Sequence, residues 1–189
     1  MSGIDVSGRL AGRVAIVTGA GQTPGETVGN GKAMALLFAR AGASVVCVDR
    51  DLARADATVA AVREEGGDAL ALEANVAKAD DAAKIAQVTL ETWGRIDVLA
   101  NNVGIGGAGD GPPKHLTEEA FDRILSVNFK AAWLVTKACL PVMEKTGGSI
   151  INISSLASIA GSQMMAYETS KAAMNRMTQS VALSGAKKG

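Results

Sequence analysis

Residues 13–49 read RVAIVTGAGQTPGETVGNGKAMALLFARAGASVVCVD, and they predict the first part of an α/β fold. A short apolar, β-branched run over residues 13–18 indicates a strand, and a similar run over residues 44–49 indicates a second one. Between them lies a glycine-rich segment, followed by apolar residues at helical spacing. The apolar residues of this predicted helix are Met34, Leu37, Phe38 and Ala41. The order of strand, glycine loop, helix and strand is typical of a parallel βαβ unit.

Strands and helices continue to alternate along the rest of the chain. Further strands are predicted over residues 69–74, 97–101 and 149–154. Helices are predicted from Asp51 to the Gly66 and Gly67 pair, up to Gly94, from Thr117 towards Pro141, and from residue 164 almost to the C-terminus. Pro141 is expected to kink or end its helix, because proline has no backbone N–H group. The alternation predicts one domain over residues 1–189, a doubly wound parallel sheet with helices on both faces.

Composition restricts the classes of function that fit the chain. The 189 residues include nineteen basic and nineteen acidic side chains, so no nucleic acid or membrane partner is expected. No apolar run has the length of a bilayer, and the N-terminus lacks the hydrophobic segment of a signal peptide. Cys47 and Cys139 are interpreted as buried free thiols. A cytoplasmic protein is therefore expected, and no metal site is predicted.

The glycine-rich segment over residues 18–31, TGAGQTPGETVGNG, predicts a binding site for a dinucleotide. Glycines at this position let the backbone approach a pyrophosphate at the N-terminus of the following helix. Asp49 follows Gly31 by 18 residues and ends the second strand, where its carboxylate can accept hydrogen bonds from both ribose hydroxyls. The same carboxylate would repel a 2′-phosphate, which favours NAD over NADP. Arg50 leaves this open, because its side chain could reach towards the phosphate.

Tyr167 and Lys171 are four residues apart on a predicted helix, so both lie on one of its faces. A positive charge beside a tyrosine favours the phenolate, which suits a group that exchanges protons near neutral pH. Taken alone, the pair is also compatible with an ordinary contact on a helix surface. Tyr167 is the only tyrosine in the chain.

With these motifs placed, the sequence resembles the short-chain dehydrogenase/reductase family over essentially its whole length. The cofactor loop of that family is similar to Thr18, Gly19, Gly29 and Gly31. Its Asn-Asn-Ala-Gly element is similar to Asn101, Asn102, Val103 and Gly104, its helix asparagine to Asn128, and its Tyr-Lys pair to Tyr167 and Lys171. The resemblance implies a Rossmann-like sheet and hydride exchange with a nicotinamide cofactor.

The resemblance also implies a role for each site residue. Ser155 would bind the oxygen of the substrate, Tyr167 would exchange the proton, and Lys171 would hold the nicotinamide ribose and favour the phenolate. Asn128 would position a relay water. The implied cofactor-binding residues are Gly19, Gly21, Gly29, Asn30, Gly31, Asp49, Arg50, Asn75, Val76 and Asn102, together with Tyr167 and Lys171.

Three features depart from the family pattern. Residues 22–28 form an insertion between glycines of the cofactor loop, and the roles of its Thr23, Glu26 and Thr27 are open. Asn75 stands where an aspartate is more common at the adenine, and its amide oxygen can still accept from the adenine amine. Ser154 has the common spacing of 13 residues to Tyr167, but the strand-side match favours Ser155, with one residue deleted within positions 162–166.

The family normally continues into two more strands after the helix that carries the tyrosine, and this chain ends at Gly189. The strand over residues 149–154 is therefore expected to form an apolar sheet edge that a longer natural chain or a partner covers. The predicted function is an NAD-dependent oxidoreductase for a secondary alcohol or ketone. The alternatives are a 3-oxoacyl-thioester reductase and a non-catalytic dinucleotide-binding protein. Broadly apolar helices over residues 117–141 and 164–184 predict a homodimer or homotetramer.

Overall fold

A parallel five-stranded sheet forms the centre of the molecule. The computed structural model describes residue 6, residues 8–22, residue 25, residues 27–186 and residue 188. The strands are β1 Val14–Thr18, β2 Ser44–Asp49, β3 Ala69–Glu73, β4 Val98–Asn101 and β5 Ser149–Asn152. Their spatial order is β3-β2-β1-β4-β5, with every pair parallel. The predicted α/β class is confirmed.

Helices cover both faces of the sheet. They are α1 Asn30–Arg40, α2 Leu52–Glu64, α3 Ala79–Trp93, α4 Glu118–Leu125, α5 Ala131–Thr146 and α6 Met165–Gly185. Alternate residues of β1 enter two separate cores, because successive strand side chains point to opposite faces. Ile16 joins the core built with α3 and α5, whereas Ala15 and Val17 join the core built with α1 and α2. Within the described residues, no helix is both long enough and apolar enough to span a membrane.

Local signals place several helix ends where the sequence predicts them. Asp51 caps α2 by accepting the Arg54 amide at 3.4 Å, and Thr117 caps α4 by accepting the Ala120 amide at 3.2 Å. Gly94 ends α3 in the left-handed conformation, with φ of 73°. Both cysteines are free and buried, as expected.

One expectation about the helices is wrong, and one of the two effects expected of Pro141 does not occur. Leu37 was expected on the apolar face of α1, but it is 50% exposed, and Ala35 is the apolar residue that the helix buries fully. Pro141 does not end its helix, which continues to Thr146. The turns on either side of Pro141 bury Cys139 and Met143, and this packing offsets the hydrogen bond that proline cannot make.

The long helix predicted from Thr117 is also interrupted before it reaches Pro141. Residues Ser126–Lys130 form a π-helical turn between α4 and α5. Such turns are rare and often mark functional positions. This turn carries Asn128, which is fully buried.

The strand register aligns the carboxyl ends of the strands at one edge of the sheet. Thr18 lies beside Asn101, and Asn101 lies beside Asn152. β5 pairs only with β4, so it is the edge strand that the sequence predicts, and Ile151 on it is 38% exposed. The predicted strand over residues 149–154 ends at Asn152, which leaves Ser154 and Ser155 in the following loop. In parallel α/β sheets, ligands bind outside the carboxyl ends of the strands.

Candidate active site

A cleft of about 1230 Å³ opens at the carboxyl edge of the sheet. This volume is large enough for a dinucleotide together with a small substrate. The cleft is lined by Gly19, Gly21, Gly29, Asn30, Gly31, Asp49, Arg50, Asn75, Val76, Asn102, Ser154, Ser155, Tyr167 and Lys171, among others. The structure thus brings the residues predicted to bind cofactor into one cavity. Asn128 lies beneath its wall.

The glycine loop forms a cradle that excludes side chains. A Cβ atom at Gly31 would lie 1.9 Å from the carbonyl oxygen of Gly19, and Gly19 itself has φ of 66°. Both positions therefore require glycine. α1 begins at Asn30 with no side-chain cap at Gly29, so the amides of its first turn are available to an anion. This arrangement fits the pyrophosphate of a dinucleotide.

Gln22 closes the base of the inserted loop. Its Oε1 accepts the Gly29 amide at 2.8 Å, and its Nε2 donates to the Thr27 carbonyl at 3.0 Å. Thr23 and Glu26, which the sequence singles out in this insertion, lie outside the described residues. The side chain of Gln22 therefore links the two ends of the loop, and no sequence pattern predicts this role.

Asn102 joins the glycine loop to the end of β4. Its backbone amide donates to Thr18 Oγ1 at 3.1 Å, and its Nδ2 donates to the carbonyls of Thr18 and Gly19 at 3.2 and 3.0 Å. Both protons of the Asn102 amide group are thus donated to the backbone of the glycine loop, so Asn102 supports the cradle. Its Oδ1 keeps the capacity to accept a hydrogen bond.

Asp49 is fixed at the end of β2 by two backbone amides. Oδ2 accepts from Gly21 at 3.0 Å, and Oδ1 accepts from Asp51 at 3.1 Å. A Cβ at Gly21 would lie only 2.5 Å from Oδ2, so this contact requires glycine as well. Arg54 pairs with Asp51 at 3.1 Å, whereas Arg50 is exposed on the wall of the cleft.

Asn75 and Val76, which the sequence predicts to contact the adenine, line the cleft. The Asn75 side chain accepts the Ala77 amide at 3.1 Å through Oδ1, and its backbone amide donates to Asp81 at 2.7 Å. The amide oxygen retains a second lone pair for an adenine amine. Val76 is buried and contributes an apolar wall.

Tyr167 and Lys171 enter the cleft from the first turns of α6. Lys171 is 2% exposed, and its ammonium donates to the Ile153 carbonyl at 2.7 Å. The nitrogen lies 5.8 Å from the centroid of the Tyr167 ring. Burial lowers the pKa of the Lys171 ammonium from its ordinary value. The pair is therefore part of the interior of a cleft, and the alternative of a helix surface contact is excluded.

The two serines that follow β5 make different hydrogen bonds. The Ser154 hydroxyl donates to the Lys171 carbonyl at 3.3 Å. The Ser155 hydroxyl accepts the Ala157 amide at 3.2 Å, and no acceptor for its proton is found among the described residues. Ser155 can therefore donate to a bound oxygen without losing a protein contact.

Asn128 connects the π-helical turn to the loop after β4 and to α6. Its Oδ1 accepts the Ile105 amide at 2.7 Å, while Nδ2 donates to the Ile105 carbonyl at 2.8 Å and to Ser170 Oγ at 3.0 Å. These bonds commit the side chain to the protein, apart from one lone pair of Oδ1. Asn128 thus holds the wall of the cleft in place.

Comparison with known proteins supports the family resemblance that the sequence motifs indicate. A profile of the short chain dehydrogenase family matches residues 13–189. The chain belongs to this family. An uncharacterized oxidoreductase from Thermotoga maritima is 38% identical over 174 residues, which cover 91% of this chain and 65% of that protein. A 7alpha-hydroxysteroid dehydrogenase from Clostridium sardiniense is 37% identical, covering 95% and 68%, and a 3-oxoacyl-[acyl-carrier-protein] reductase from Synechocystis is 38% identical, covering 95% and 71%.

Solved structures of short-chain dehydrogenases share the fold. One from Burkholderia xenovorans superposes with a TM-score of 0.92 at 40% identity, covering 97% of this chain and 72% of that one. A 7 alpha-hydroxysteroid dehydrogenase complexed with NADH and 7-oxo glycochenodeoxycholic acid gives 0.87 at 31% identity, covering 98% and 69%. An NAD+-bound xylitol dehydrogenase gives 0.88 at 32% identity, covering 96% and 68%. The chain spans about two thirds of the length of these relatives.

Asp110 is a residue near the cleft that sequence reasoning missed. It lies in the glycine-rich loop after β4, and its carboxylate accepts backbone amides from α6 at Ala166 and Tyr167. A single acidic residue within a loop of glycines was the available signal. His115, in the same loop, is exposed, and we assign it no role.

Proposed function

We propose that this chain is the nucleotide-binding and catalytic part of an NAD(H)-dependent oxidoreductase that acts on a secondary alcohol or ketone. The observation that carries the proposal is the Tyr167 and Lys171 pair, with its buried ammonium, on the wall of a cleft that also contains Ser155. A proton-exchanging group, a cation and a hydroxyl donor are what carbonyl reduction or alcohol oxidation requires of a protein.

The nicotinamide cofactor supplies the hydride chemistry. In our proposal, the first-turn amides of α1 hold its pyrophosphate within the cradle of Gly19 and Gly31. Asp49 accepts from the adenosine ribose, and Val76 and Asn75 contact the adenine. Lys171 holds the nicotinamide ribose.

The remaining residues bind the substrate oxygen and exchange its proton. Ser155 donates its free hydroxyl proton to that oxygen and orients it. Tyr167 gives the proton to a ketone in reduction and takes it from an alcohol in oxidation, while the Lys171 charge favours the phenolate. Asn128 acts through structure, because it fixes the chain at Ile105, and any relay water would use the remaining lone pair of its Oδ1.

Two substrate classes follow from the relatives. The Clostridium relative is named for a hydroxysteroid and the Synechocystis relative for a 3-oxoacyl thioester, and both reactions interconvert a secondary alcohol and a ketone. We favour a free alcohol or ketone, since Asp49 disfavours the NADPH that thioester reductases usually use. We also place the protein in the cytoplasm as a homodimer or homotetramer, without nucleic acid or membrane partners.

The test is a panel of oxidised and reduced substrates assayed with the chain and NAD(H). The panel contains a 7-oxo bile acid, xylitol, an acetoacetyl thioester and simple cyclic ketones, and the signal is the absorbance of NADH. We expect turnover of at least one compound, and Tyr167→Phe should retain less than a few per cent of it while NADH binding changes little. The phenylalanine ring still packs, so only the hydroxyl group is lost.

The same experiment separates the alternatives. Preference for the thioester with NADPH would favour a 3-oxoacyl-thioester reductase. Tight NADH binding without turnover of any compound would favour a non-catalytic dinucleotide-binding protein. Activity of Tyr167→Phe above a few per cent of wild type would contradict the proposed role of the phenol.

A further inference from the structure

The first turn of α6 is capped by residues from a distant loop. Met164, the residue before the helix, makes no side-chain cap, and the first amides of any helix have no partner within it. Here the Met165 amide donates to the Gly111 carbonyl at 3.2 Å. The Ala166 amide donates to Asp110 Oδ1 and the Tyr167 amide to Asp110 Oδ2, each at 3.0 Å. Three successive amides are thus bonded by two residues that lie about 56 positions earlier.

The loop that carries Asp110 is itself tied to α4. The Asp110 amide donates to the Gly107 carbonyl at 3.0 Å, and the Thr117 amide donates to the Gly109 carbonyl at 3.0 Å. Arg123 of α4 donates to the Ala108 carbonyl at 2.7 Å. The carboxylate of Asp110 therefore links the start of α6 to this loop and, through the loop, to α4.

A second carboxylate holds the turn that enters α6. Glu168 accepts hydrogen bonds from the backbone amide and the hydroxyl of Ser162 and from the Met164 amide. The hydrogen bond from the Ser162 amide is the largest cause of the lowered pKa of Glu168. Gln163 between them has φ of 61°, a left-handed conformation that few side chains adopt readily. Glu168 thus fixes the chain before the helix, whereas Asp110 fixes the amide of Tyr167 itself.

We propose that Asp110 is a positioning residue for the reaction, because it fixes the direction in which the Tyr167 side chain enters the cleft. The inference rests on the proposed function, in which Tyr167 exchanges the proton. The two oxygens of one carboxylate hold two successive amides, so the first turn cannot rotate without breaking a charge-assisted hydrogen bond. The same loop also meets the ring, since a Cβ at Gly106 would lie 3.7 Å from Tyr167 Cδ2.

Asp110→Asn is the decisive variant, because an amide offers one acceptor oxygen where the carboxylate offers two. One of the Ala166 and Tyr167 amides then faces an N–H₂ group. We expect kcat on the fastest substrate of the panel to fall about tenfold or more, since small displacements of a catalytic group are costly. The Kd for NADH should change less than twofold. A general loss of stability would be expected to affect cofactor binding as well, so a fall in kcat with an unchanged Kd for NADH indicates a positioning role.

Asp68→Asn is the matched control. Asp68 also accepts a hydrogen bond, from Trp93 Nε1 at 3.0 Å, but it lies at the opposite end of the sheet, before β3. This variant should keep the kcat of wild type. An Asp110→Asn enzyme with wild-type kcat, or an Asp68→Asn enzyme with an equal loss, would overturn the proposal.

A spectroscopic measurement tests the positioning without any turnover. Tyr167 is the only tyrosine, so incorporation of 3-fluorotyrosine gives one ¹⁹F resonance from the site. We expect Asp110→Asn to shift or broaden this resonance and Asp68→Asn to leave it unchanged. If wild type turns over no substrate but the resonance responds to Asp110→Asn, the proposed function fails and the positioning stands. An unchanged resonance would overturn the positioning, whatever the activity.

Discussion

Ser154 and Ser155 are neighbours in the chain, but of their two hydroxyl protons only that of Ser155 lacks an acceptor within the part of the chain that the structure describes. Ser154 donates to the Lys171 carbonyl, whereas Ser155 accepts from the Ala157 amide. The spacing to Tyr167 and the match on the strand side disagreed about which serine would contact the substrate. The hydrogen bonds favour Ser155, as the strand-side match does.

Alanine substitutions at the two serines form a matched pair. In the proposed mechanism Ser155→Ala removes a donor to the substrate oxygen, so kcat/KM should fall by about 100-fold, the usual effect of losing such a donor. Ser154→Ala should cost less than threefold, because it removes only a contact with the carbonyl of Lys171. Steady-state kinetics on the best substrate of the panel checks both. The reverse order of effects would assign the substrate oxygen to Ser154.

Asp49 is the residue that we propose selects between the two nicotinamide cofactors. Its carboxylate is held by the amides of Gly21 and Asp51, so it cannot swing away from a 2′-phosphate. NADH should therefore bind at least tenfold more tightly than NADPH, which corresponds to about 1.4 kcal/mol. Asp49→Asn should reduce this ratio, while Asp56→Asn on the exposed side of α2 should preserve it. Fluorescence titration measures the six constants, two for each protein, and equal Kd values for NADH and NADPH with wild type would contradict the predicted preference.

The conformation of the glycine loop depends on close contact between Gly19 and Gly31. A methyl group at Gly31 would press against the Gly19 carbonyl, so the loop and the start of α1 must separate. Gly31→Ala should lower NADH affinity at least tenfold and reduce the free energy of unfolding by about 1–3 kcal/mol. Gly25→Ala is the control, since a Cβ there meets nothing within 4 Å. Isothermal titration and urea unfolding test the pair, and equal effects of both changes would refute the close-contact argument.

The elements themselves could largely be predicted from the sequence, because local chemistry sets their ends. β2 has the predicted bounds of residues 44–49, and the caps at Asp51 and Thr117 form as expected. The π-helical turn at Asn128 could not be predicted, since nothing in residues 126–130 distinguishes a π-helical turn from an α-helical one. Its stabilising contacts, with Ile105 and Ser170, come from residues 23 and 42 positions away.

Contacts between residues distant in sequence also limited what could be predicted about the candidate site. Residue types and spacing predicted the glycine loop before α1, Asp49 at the end of β2 and the placement of Tyr167 and Lys171 on one helix face. The roles expected of these residues came from the family resemblance. Asp110 was missed because a cap supplied across 56 positions leaves no pattern in the local sequence. The exposure of Leu37 was also missed, because α1 turns a different face to the sheet than its apolar spacing suggests.

Asp97 joins the start of β1 to the segment before β4, at the end of the sheet opposite the cleft. Its carboxylate accepts from Arg13, Arg95 and the Val14 amide at 2.7 to 2.9 Å, and it is 3% exposed. Burial opposes ionisation of Asp97, but the hydrogen bonds from Arg95, Arg13 and Val14 outweigh it and lower the pKa to about 2. The folded pKa is therefore below the ordinary value of 3.8.

This difference predicts a loss of stability in acid. A depressed folded pKa stabilises the native state above the unfolded pKa, and the contribution disappears as the pH falls through the folded one. Wild type should lose about 2 kcal/mol from Asp97 between about pH 4 and pH 2. Asp97→Asn should be less stable at neutral pH, and the difference in unfolding free energy should shrink over this range. Urea unfolding at several pH values measures it, and a difference that does not vary with pH would contradict the assignment.

Exposed apolar side chains on three helices are the basis on which we predict that copies of the chain assemble. Four large apolar side chains on α4, α5 and α6 remain exposed in the single chain: Phe121, Trp133, Met165 and Leu183. The Trp133 ring is 44% exposed, with Lys137 Nζ 5.3 Å from its centroid, so a large aromatic surface faces outward. Apolar helix faces of this kind need cover, and a symmetric dimer or tetramer supplies it with one repeated interface.

Trp133→Glu should therefore reduce the mass of the assembly, because a carboxylate at a helix interface loses its water without gaining a partner. Light scattering at micromolar concentration should show wild type as a dimer or tetramer and Trp133→Glu as a smaller species. Leu37→Glu is the matched control, since Leu37 is 50% exposed but lies on α1, outside the proposed interface. A monomeric wild type would refute the interface, and equal dissociation by Leu37→Glu would place it on another face.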